Sequence, residues 1–263
     1  MTVGVDRQHA VLGMYPFPSA RRGYDLLWEG IHARLPETPA LLDWSADPHS
    51  SWREPGLVLG QACGWPLMTE LRGVVRVVGT FAPSVPYARD HRYRSVLLTR
   101  RRAARVPEAS EFAGRTAAAN ISRSLSGWVS LLHAVHGPGS TWQGPVVWTG
   151  AHADSVRAVF EGRADVMSID SVTLALLRRE IPEVIDELVE IGLGPEVPAL
   201  PLIARGSTSD EELAALRRAI VEAFEQRPEI GESIMAERFV PLDETAYECV
   251  LGLGPSGDGT RAG

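Results

Sequence analysis

Apolar residues at the start of the chain follow first the period of a strand and then that of a helix. Residues 9–15 form a short apolar run that ends at two prolines, Pro16 and Pro18. Over residues 19–35 the large apolar side chains recur three or four positions apart, which is the spacing of a helix with one buried face. The pattern predicts a strand, a loop and a helix in this order.

Similar alternation continues along the rest of the chain. Apolar segments follow at 57–60, 64–71 and 74–80. Further strands are predicted at 93–99, 116–120, 146–149, 165–170, 188–193 and 202–205. Helices are predicted at 124–136, 152–162, 171–179 and 209–225, and a proline-rich stretch covers 195–201. Alternating strands and helices indicate an α/β protein whose sheets are mostly parallel and flanked by helices.

Composition and charge exclude several classes of function. The chain of 263 residues is 44% hydrophobic, which is enough for one large domain or two small ones. Its formal net charge of −7 argues against a nucleic-acid partner, which requires a concentrated basic face. All 26 basic residues are arginine, so Schiff-base chemistry on lysine and a P-loop lysine are excluded.

Cysteine spacing and the N-terminal residues bear on metal binding and location. Cys63 and Cys249 lie far apart and form no zinc-binding pattern with histidine, so we expect neither a metal nor another cofactor. Residues 1–8 lack the features of a secretory signal, and no apolar run reaches the ~18 residues of a membrane span. We therefore expect a cytoplasmic protein without membrane insertion.

The segment 120–128 combines a strand end with a helix start that is rich in serine. Its polar residues follow Asn120 at two-residue spacing and precede a glycine: Ser122, Ser124, Ser126 and Gly127. The first turn of a helix has free backbone N–H groups and a partial positive charge, so hydroxyls beside it form an anion site without lysine. Ordinary N-capping by one serine explains the pattern equally well.

Two other loops join a strand to a helix in the same way. The segment 149–155 places His152 and Ser155 near a helix start, where His152 is either a cap or a site residue. Asp170 ends the apolar strand 165–170, and ligands of open α/β sheets bind at this end of the strands. A carboxylate in this position is either a helix cap or a ligand contact.

These segments occur in an order that resembles a known family. Together with Leu59-Gly-Gln-Ala-Cys-Gly-Trp-Pro-Leu67 and Tyr93-Arg-Ser-Val-Leu, the segments 120–127, 150–155 and 162–170 are similar to those of phosphate- and phosphonate-binding proteins. The similarity extends from about residue 11 to residue 203. It implies a two-lobed fold of the type 2 periplasmic-binding class, with two crossover strands and a small anionic ligand in the cleft between the lobes.

The resemblance also implies lobe boundaries and site residues. One lobe would consist of residues 1–92 and 203–254, the other of 93–202, with a flexible tail over 255–263. By similarity, Ser124, Ser126 and Gly127 would hold the phosphonate or phosphate oxygens, beside Asn120 and Ser122. The other residues expected to line the cleft are Tyr15, Gln61, Tyr93, Ser95, His152 and Asp170, of which Asp170 resembles a carboxylate that receives a ligand ammonium.

Three functions remain open at this point, of which the weakest is an adaptor that has lost its ligand and keeps only the fold. Binding proteins of this type deliver solutes to an ABC permease, which would be a partner only if the chain is exported. The rival is a cytoplasmic enzyme on the same fold, a lyase, dehydratase or cyclase with Asp170 or His152 as acid or base. Capture of a phosphate-, phosphonate- or sulfonate-like anion is the leading hypothesis, and whether the chain forms a homodimer is left open.

Overall fold

The polypeptide is divided into two compact units, each with its own sheet. The computed structural model describes residues 8–101 and 105–254, so the predicted tail over 255–263 lies outside the described residues. Within this range the first unit contains residues 8–85, 89–92 and 198–248, and the second contains 86–88, 93–197 and 249–254. The first unit is therefore discontinuous in sequence.

Strands occupy most of the predicted apolar runs. In chain order they are β1 (His9–Val11), β2 (Leu57–Gln61), β3 (Val75–Pro83), β4 (Ala88–Arg89), β5 (Arg92–Arg100), β6 (Ala117–Ala119), β7 (Val146–Trp148), β8 (Val166–Asp170), β9 (Leu188–Pro198), β10 (Leu202–Arg205) and β11 (Ala236–Val240).

Helices fill the segments between the strands. They are α1 (Pro18–Arg34), α2 (Pro48–Ser51), α3 (Gly64–Thr69), α4 (Ser130–His136), α5 (His152–Phe160), α6 (Ser171–Glu180), α7 (Pro182–Ile185), α8 (Asp210–Gln226) and α9 (Pro228–Ile234). A π-helical turn, Leu125–Val129, leads directly into α4, and 3₁₀ turns cover Ala109–Phe112 and Glu244–Gly252. No helix in the described part of the chain is both long and apolar enough to cross a membrane.

The first unit is a five-stranded sheet in the order β1-β2-β10-β3-β11. The helices α1, α8 and α9 pack together beside it, and Tyr24 and Trp28 on α1 are each only 1% exposed. Small residues allow the helices to approach closely, because a Cβ at Gly30 would lie 2.7 Å from Ala223 Cβ on α8. Burial of the apolar face of α1 stabilises this unit, since each large apolar side chain removed from water contributes about 1.5–3 kcal/mol.

The second unit is a six-stranded sheet in the order β4-β5-β8-β6-β7, with β9 paired to β5. The strands β7, β6 and β8 run parallel, so their carboxyl ends lie at one edge. Helix α4 packs on this sheet through Leu131, which is buried with Leu97, Ala117 and Val166. This packing fixes the start of the preceding π-helical turn at the same edge as the ends of β6 and β8.

The prediction of mostly parallel sheets is wrong for the first unit. Among neighbouring strands of this sheet in the described residues, only β1 and β2 pair in parallel, while β10 pairs antiparallel with β2 and β3, and β11 pairs antiparallel with β3. In the second unit β5 is antiparallel to β8. The strands β2, β3, β5, β6, β8 and β10 are buried along most of their length, and a continuous apolar run does not reveal strand direction.

Two predicted segments also differ from the structure. The helix expected over 124–136 begins with five residues in π-helical conformation before it becomes α-helical. The proline-rich stretch was expected to lie outside the strands, but β9 extends through Pro195 to Pro198. A strand can include proline where no partner requires its missing N–H, which is the situation of a strand that pairs on one side only.

Candidate functional site

A helix start rich in hydroxyl groups lies at the carboxyl end of β6. Ser124 is its N-cap residue, and its Oγ accepts a hydrogen bond of 3.0 Å from the backbone N–H of Gly127. The carbonyl oxygen of Ser124 accepts from the N–H groups of both Trp128 and Val129, at 3.1 and 3.0 Å. The first N–H groups of a helix lack partners within the helix, so this turn presents a partial positive charge at the strand edge.

Ser126 and His152 connect this helix start to the start of α5. The Oγ of Ser126 lies 3.0 Å from Nε2 of His152, which is within hydrogen-bond distance. Burial lowers the pKa of His152 below its usual value, because the charged imidazolium would lose solvation, and the carboxylate of Asp170 acts in the opposite direction. His152 is therefore held as a neutral imidazole near pH 7.

Gly127 lies between two polar side chains that leave no room for a Cβ atom. A Cβ at this position would overlap Oδ1 of Asn120 and would lie 3.0 Å from Cε1 of His152. Asn120, Gly127 and His152 therefore come into close contact at the helix start. This packing requires a glycine, whereas the resemblance implied only that Gly127 would hold ligand oxygens.

Asp170 is the N-cap residue of α6. Its Oδ1 accepts a bond of 2.8 Å from the backbone N–H of Thr173, and its Oδ2 accepts one of 2.6 Å from the Thr173 hydroxyl. The same Oδ2 is 3.8 Å from Nε2 of His152, and the Asp170 side chain is only 4% exposed. These contacts are those of a buried helix cap that also faces the histidine.

Ser95 and Ser130 lie next to this carboxylate. Ser95 on β5 is paired in register with Asp170 on β8, and its Oγ donates a hydrogen bond of 3.2 Å to Oγ of Ser130. Both serines are buried. The polar groups therefore continue from the helix start across to β5.

Several buried polar atoms of this region have no hydrogen-bond partner within residues 8–101 and 105–254. They are Oδ1 of Asn120, Nδ1 of His152 and the hydroxyl oxygens of Ser168 and Ser171. A buried polar atom without a partner costs about 1–3 kcal/mol, so such atoms are rare in folded proteins unless a ligand or water binds them. Their concentration at the ends of β6 and β8 is typical of a binding site.

Not all of the predicted site residues lie in this cluster. The structure brings together Asn120, Ser124, Ser126, Gly127, His152, Asp170 and Ser95 within the second unit. Ser122 is exposed in the loop before the helix, and Tyr93 is buried near the start of β5. Tyr15 and Gln61 are buried in the first unit, where Oε1 of Gln61 has no hydrogen-bond partner among the described residues. The roles of these four residues in ligand binding stay a prediction.

Sequence reasoning missed four polar residues of the cluster, of which Ser171 directly follows Asp170 at the start of α6. Ser130 follows Ser126 by one helical turn, a spacing that could have identified it. Thr173 stands three residues after Asp170, which is the position that a helix N-cap contacts. Ser168 lies on the same side of β8 as Asp170, which the two-residue period of a strand could have shown.

Solved structures share the fold of this chain. PhnD1 from Prochlorococcus marinus in complex with methylphosphonate is 13% identical, with a TM-score of 0.72, over 94% of this chain and 96% of that protein. A binding protein component of an ABC phosphonate transporter from Pseudomonas aeruginosa is 16% identical, with a TM-score of 0.68, over 91% and 83% of the two chains. The chain has the type 2 periplasmic-binding fold that the sequence segments predicted.

A third protein of the same fold comes from Xanthomonas citri. Bound to chloride ion, it is 16% identical to this chain, with a TM-score of 0.66, over 94% of this chain and 95% of its own. No curated protein sequence is a significant match. The family model of the periplasmic substrate-binding proteins of ABC phosphonate transporters matches residues 68–247, which is more than half of the chain. This protein therefore belongs to the phosphonate-binding family of ABC transporter substrate-binding proteins.

Proposed function

We propose that this protein captures a small phosphonate- or phosphate-type anion at the helix start formed by Ser124, Ser126 and Gly127. The observation that carries the proposal is the contact between Ser126 and His152, which joins two helix starts at one sheet edge. Hydroxyl, imidazole and backbone N–H groups can then bind several oxygens of one tetrahedral anion.

The relatives support this class of ligand. Methylphosphonate is the ligand in the structure of the Prochlorococcus marinus protein, whose chain is matched over almost its full length. The family model likewise describes phosphonate transport. A phosphonate has three oxygens on one phosphorus atom, which suits a compact group of hydrogen-bond donors.

The contacts of Asp170 favour binding over proton transfer. Both of its oxygens accept hydrogen bonds from Thr173, so its charge serves to cap α6. The Asp170 carboxylate also places a negative charge near His152. This carboxylate can accept hydrogen bonds from an ammonium group of a ligand. The enzyme hypothesis would instead require Asp170 or His152 to exchange a proton with substrate.

A capture role implies an ABC permease as partner if the protein is exported. The family consists of proteins that serve such transporters. A cytoplasmic location stays a prediction, and in that location the protein would hold its anion without delivering it to an importer.

Isothermal titration of methylphosphonate into the protein tests the proposed function. The native protein should bind with a measurable heat, and Ser126→Ala should weaken binding by about tenfold or more, since a hydrogen bond to a charged group contributes about 1.5–3 kcal/mol. Ser110→Ala serves as the matched control, because Ser110 is an exposed serine of the same unit. Absence of binding to the native protein, or equal weakening in both variants, would contradict the proposal.

A further inference from the structure

A surface cavity of about 650 Å³ lies in the first unit, along the exposed side of α8. The residues that α8 contributes recur three or four positions apart and so form one stripe of the helix, among them Asp210, Ala214, Arg217 and Val221. Arg76 on β3, Phe239 on β11 and Pro241 just after it complete the lining. Sites for small molecules have volumes of about 300–1,000 Å³, so this cavity is large enough for one.

Hydrogen bonds to the main chain fix the guanidinium group of Arg217 at this cavity. Its Nε donates to the carbonyl oxygen of Val78 at 2.8 Å, and its Nη2 donates to those of Val77 and Leu242 at 3.3 and 2.6 Å. Its Nη1 donates no hydrogen bond within residues 8–101 and 105–254. A guanidinium group has five N–H bonds, so the two on Nη1 are available to a ligand.

The surroundings of Arg217 favour an additional negative charge beside it. Burial lowers the pKa of Arg217, the positive charge of Arg76 lowers it further, and Asp243 acts in the opposite direction. The pKa of arginine is so high that the group keeps its charge near pH 7. A charged group that has lost solvation and lies near a like charge gains more from a bound anion than a fully solvated arginine does.

The two carboxylates that line the cavity already have partners. Asp210 accepts a hydrogen bond from Arg76, and Glu222 accepts one from Arg34, each at 2.7 Å. Arg218 also lines the cavity and is exposed, and its side chain has neither a hydrogen bond nor an ion pair in the part of the chain that the structure describes. In a chain with a net charge of −7, this cavity therefore has a guanidinium charge without a counterpart.

Apolar side chains form much of the remaining lining. They belong to Leu213 and Val221 on α8 and to Phe239 on β11. A small hydrated anion gains little from such a surface. An anion with an apolar body binds more favourably, because the body and these side chains are removed from water together.

We infer that this cavity binds an organic carboxylate with an apolar body, and that Arg217 and Arg218 pair with the carboxylate group. Arginine suits this ligand because its planar N–H groups match the two oxygens of a carboxylate. The body of the ligand then lies against Leu213, Val221 and Phe239. The residues of this cavity belong to the first unit, so the inference does not depend on the anion site proposed for the second unit.

Isothermal titration with three probes tests the inference. Phenylbutyrate combines a carboxylate with an apolar body, phenylbutyramide keeps the body without the charge, and acetate keeps the charge without the body. We expect phenylbutyrate to bind at least about tenfold more tightly than either, because only this probe gains from both the guanidinium groups and the apolar lining. No measurable binding of phenylbutyrate, or equal binding of phenylbutyrate and its amide, would overturn the inference.

Arg218→Gln tests the part of the guanidinium group. Affinity for phenylbutyrate should fall by about three- to tenfold, since Arg218 is exposed and water screens part of its attraction, while affinity for phenylbutyramide should not change. Arg22→Gln is the matched control, because Arg22 is an exposed arginine of α1 that does not line the cavity. Equal weakening in both variants would show an effect of net charge alone and would contradict the assignment.

Ala214→Trp tests the location without removal of a charge. Ala214 is exposed on α8 and lines the cavity, so an indole at this position should occupy the space of the ligand and abolish phenylbutyrate binding. Thermal unfolding shows whether the variant is folded, and native affinity in the folded variant would overturn the location. Methylphosphonate should bind both Arg218→Gln and Ala214→Trp as it binds the native protein. Competition between methylphosphonate and phenylbutyrate would place the carboxylate at the helix start of the second unit and overturn the inference.

Discussion

Gly127 is the residue at which packing and the proposed binding site are most directly linked. In Gly127→Ala the added methyl group would overlap Asn120 Oδ1 and press on His152, so the helix start must shift. We expect a loss of about 1–3 kcal/mol in the free energy of unfolding, the usual cost of an overpacked site. Affinity for methylphosphonate should fall as well, by about tenfold or more, because two hydrogen-bonded groups lose their alignment.

A second glycine of the same unit provides the control for this substitution. A Cβ at Gly192 on β9 would lie 3.4 Å from Ala109 Cβ, which is ordinary van der Waals contact. Gly192→Ala should therefore keep both stability and affinity close to native values. Denaturant unfolding and calorimetric titration measure the two effects, and a Gly127→Ala protein with native affinity would contradict the packing argument.

The sequence predicted which single residues lie at helix starts and strand ends of the site. It did not predict which of them form hydrogen bonds with one another. The serine spacing correctly predicted a helix start at 124–127, and the place of Asp170 at a strand end predicted either a cap or a ligand contact. The contact between Ser126 and His152 joins residues 26 positions apart, so it depends on how β6 and β7, the strands that precede them, pair in the sheet. Local sequence carries no information on such distances.

At the scale of an element, α8 is stabilised by a capping box that can be tested apart from the site. Ser209 Oγ accepts from the N–H of Glu212, and Glu212 Oε2 accepts from the N–H of Ser209, at 3.1 and 2.7 Å. Ser209→Ala should lower the free energy of unfolding by about 1 kcal/mol through loss of the cap. Ser207→Ala is the control, since Ser207 is exposed and precedes the box. Urea unfolding distinguishes the two, and an equal loss in both would contradict the role of the cap.

Long helices were predicted well because their apolar spacing is regular. α1 and α8 have 17 residues each, and each of their bounds differs by one residue from those expected over 19–35 and 209–225. Short or irregular elements gave no such signal, and α9 and β11 were not predicted at all. β11 has only Ala236 and Phe239 buried, a three-residue interval that is typical neither of an alternating strand nor of a long helix.

At the scale of the whole molecule, the resemblance to two-lobed binding proteins predicted two units, but the ends of each unit depend on tertiary pairing. The chain was expected to return from the second lobe to the first between residues 202 and 203. In the structure it returns earlier, between Val197 and Pro198. The C-terminal residues 249–254 belong to the second unit, whereas the sequence analysis assigned them to the first. Strand direction and the unit to which the C-terminal turn belongs depend on contacts between segments that are distant in sequence. A local hydrophobic pattern does not predict such contacts.

The discontinuous organisation gives a final prediction about where a ligand acts in the molecule. If methylphosphonate binds at the helix starts of the second unit, it should slow amide hydrogen exchange over 120–130, 150–155 and 170–173, because binding stabilises the closed form of the segments it contacts. Residues 105–115 of the same unit are the internal reference and should exchange at an unchanged rate. Mass-spectrometric exchange with and without ligand provides the measurement. Protection that is confined to the first unit, or spread evenly over both units, would show that the anion does not bind at the helix start of Ser124 to Gly127.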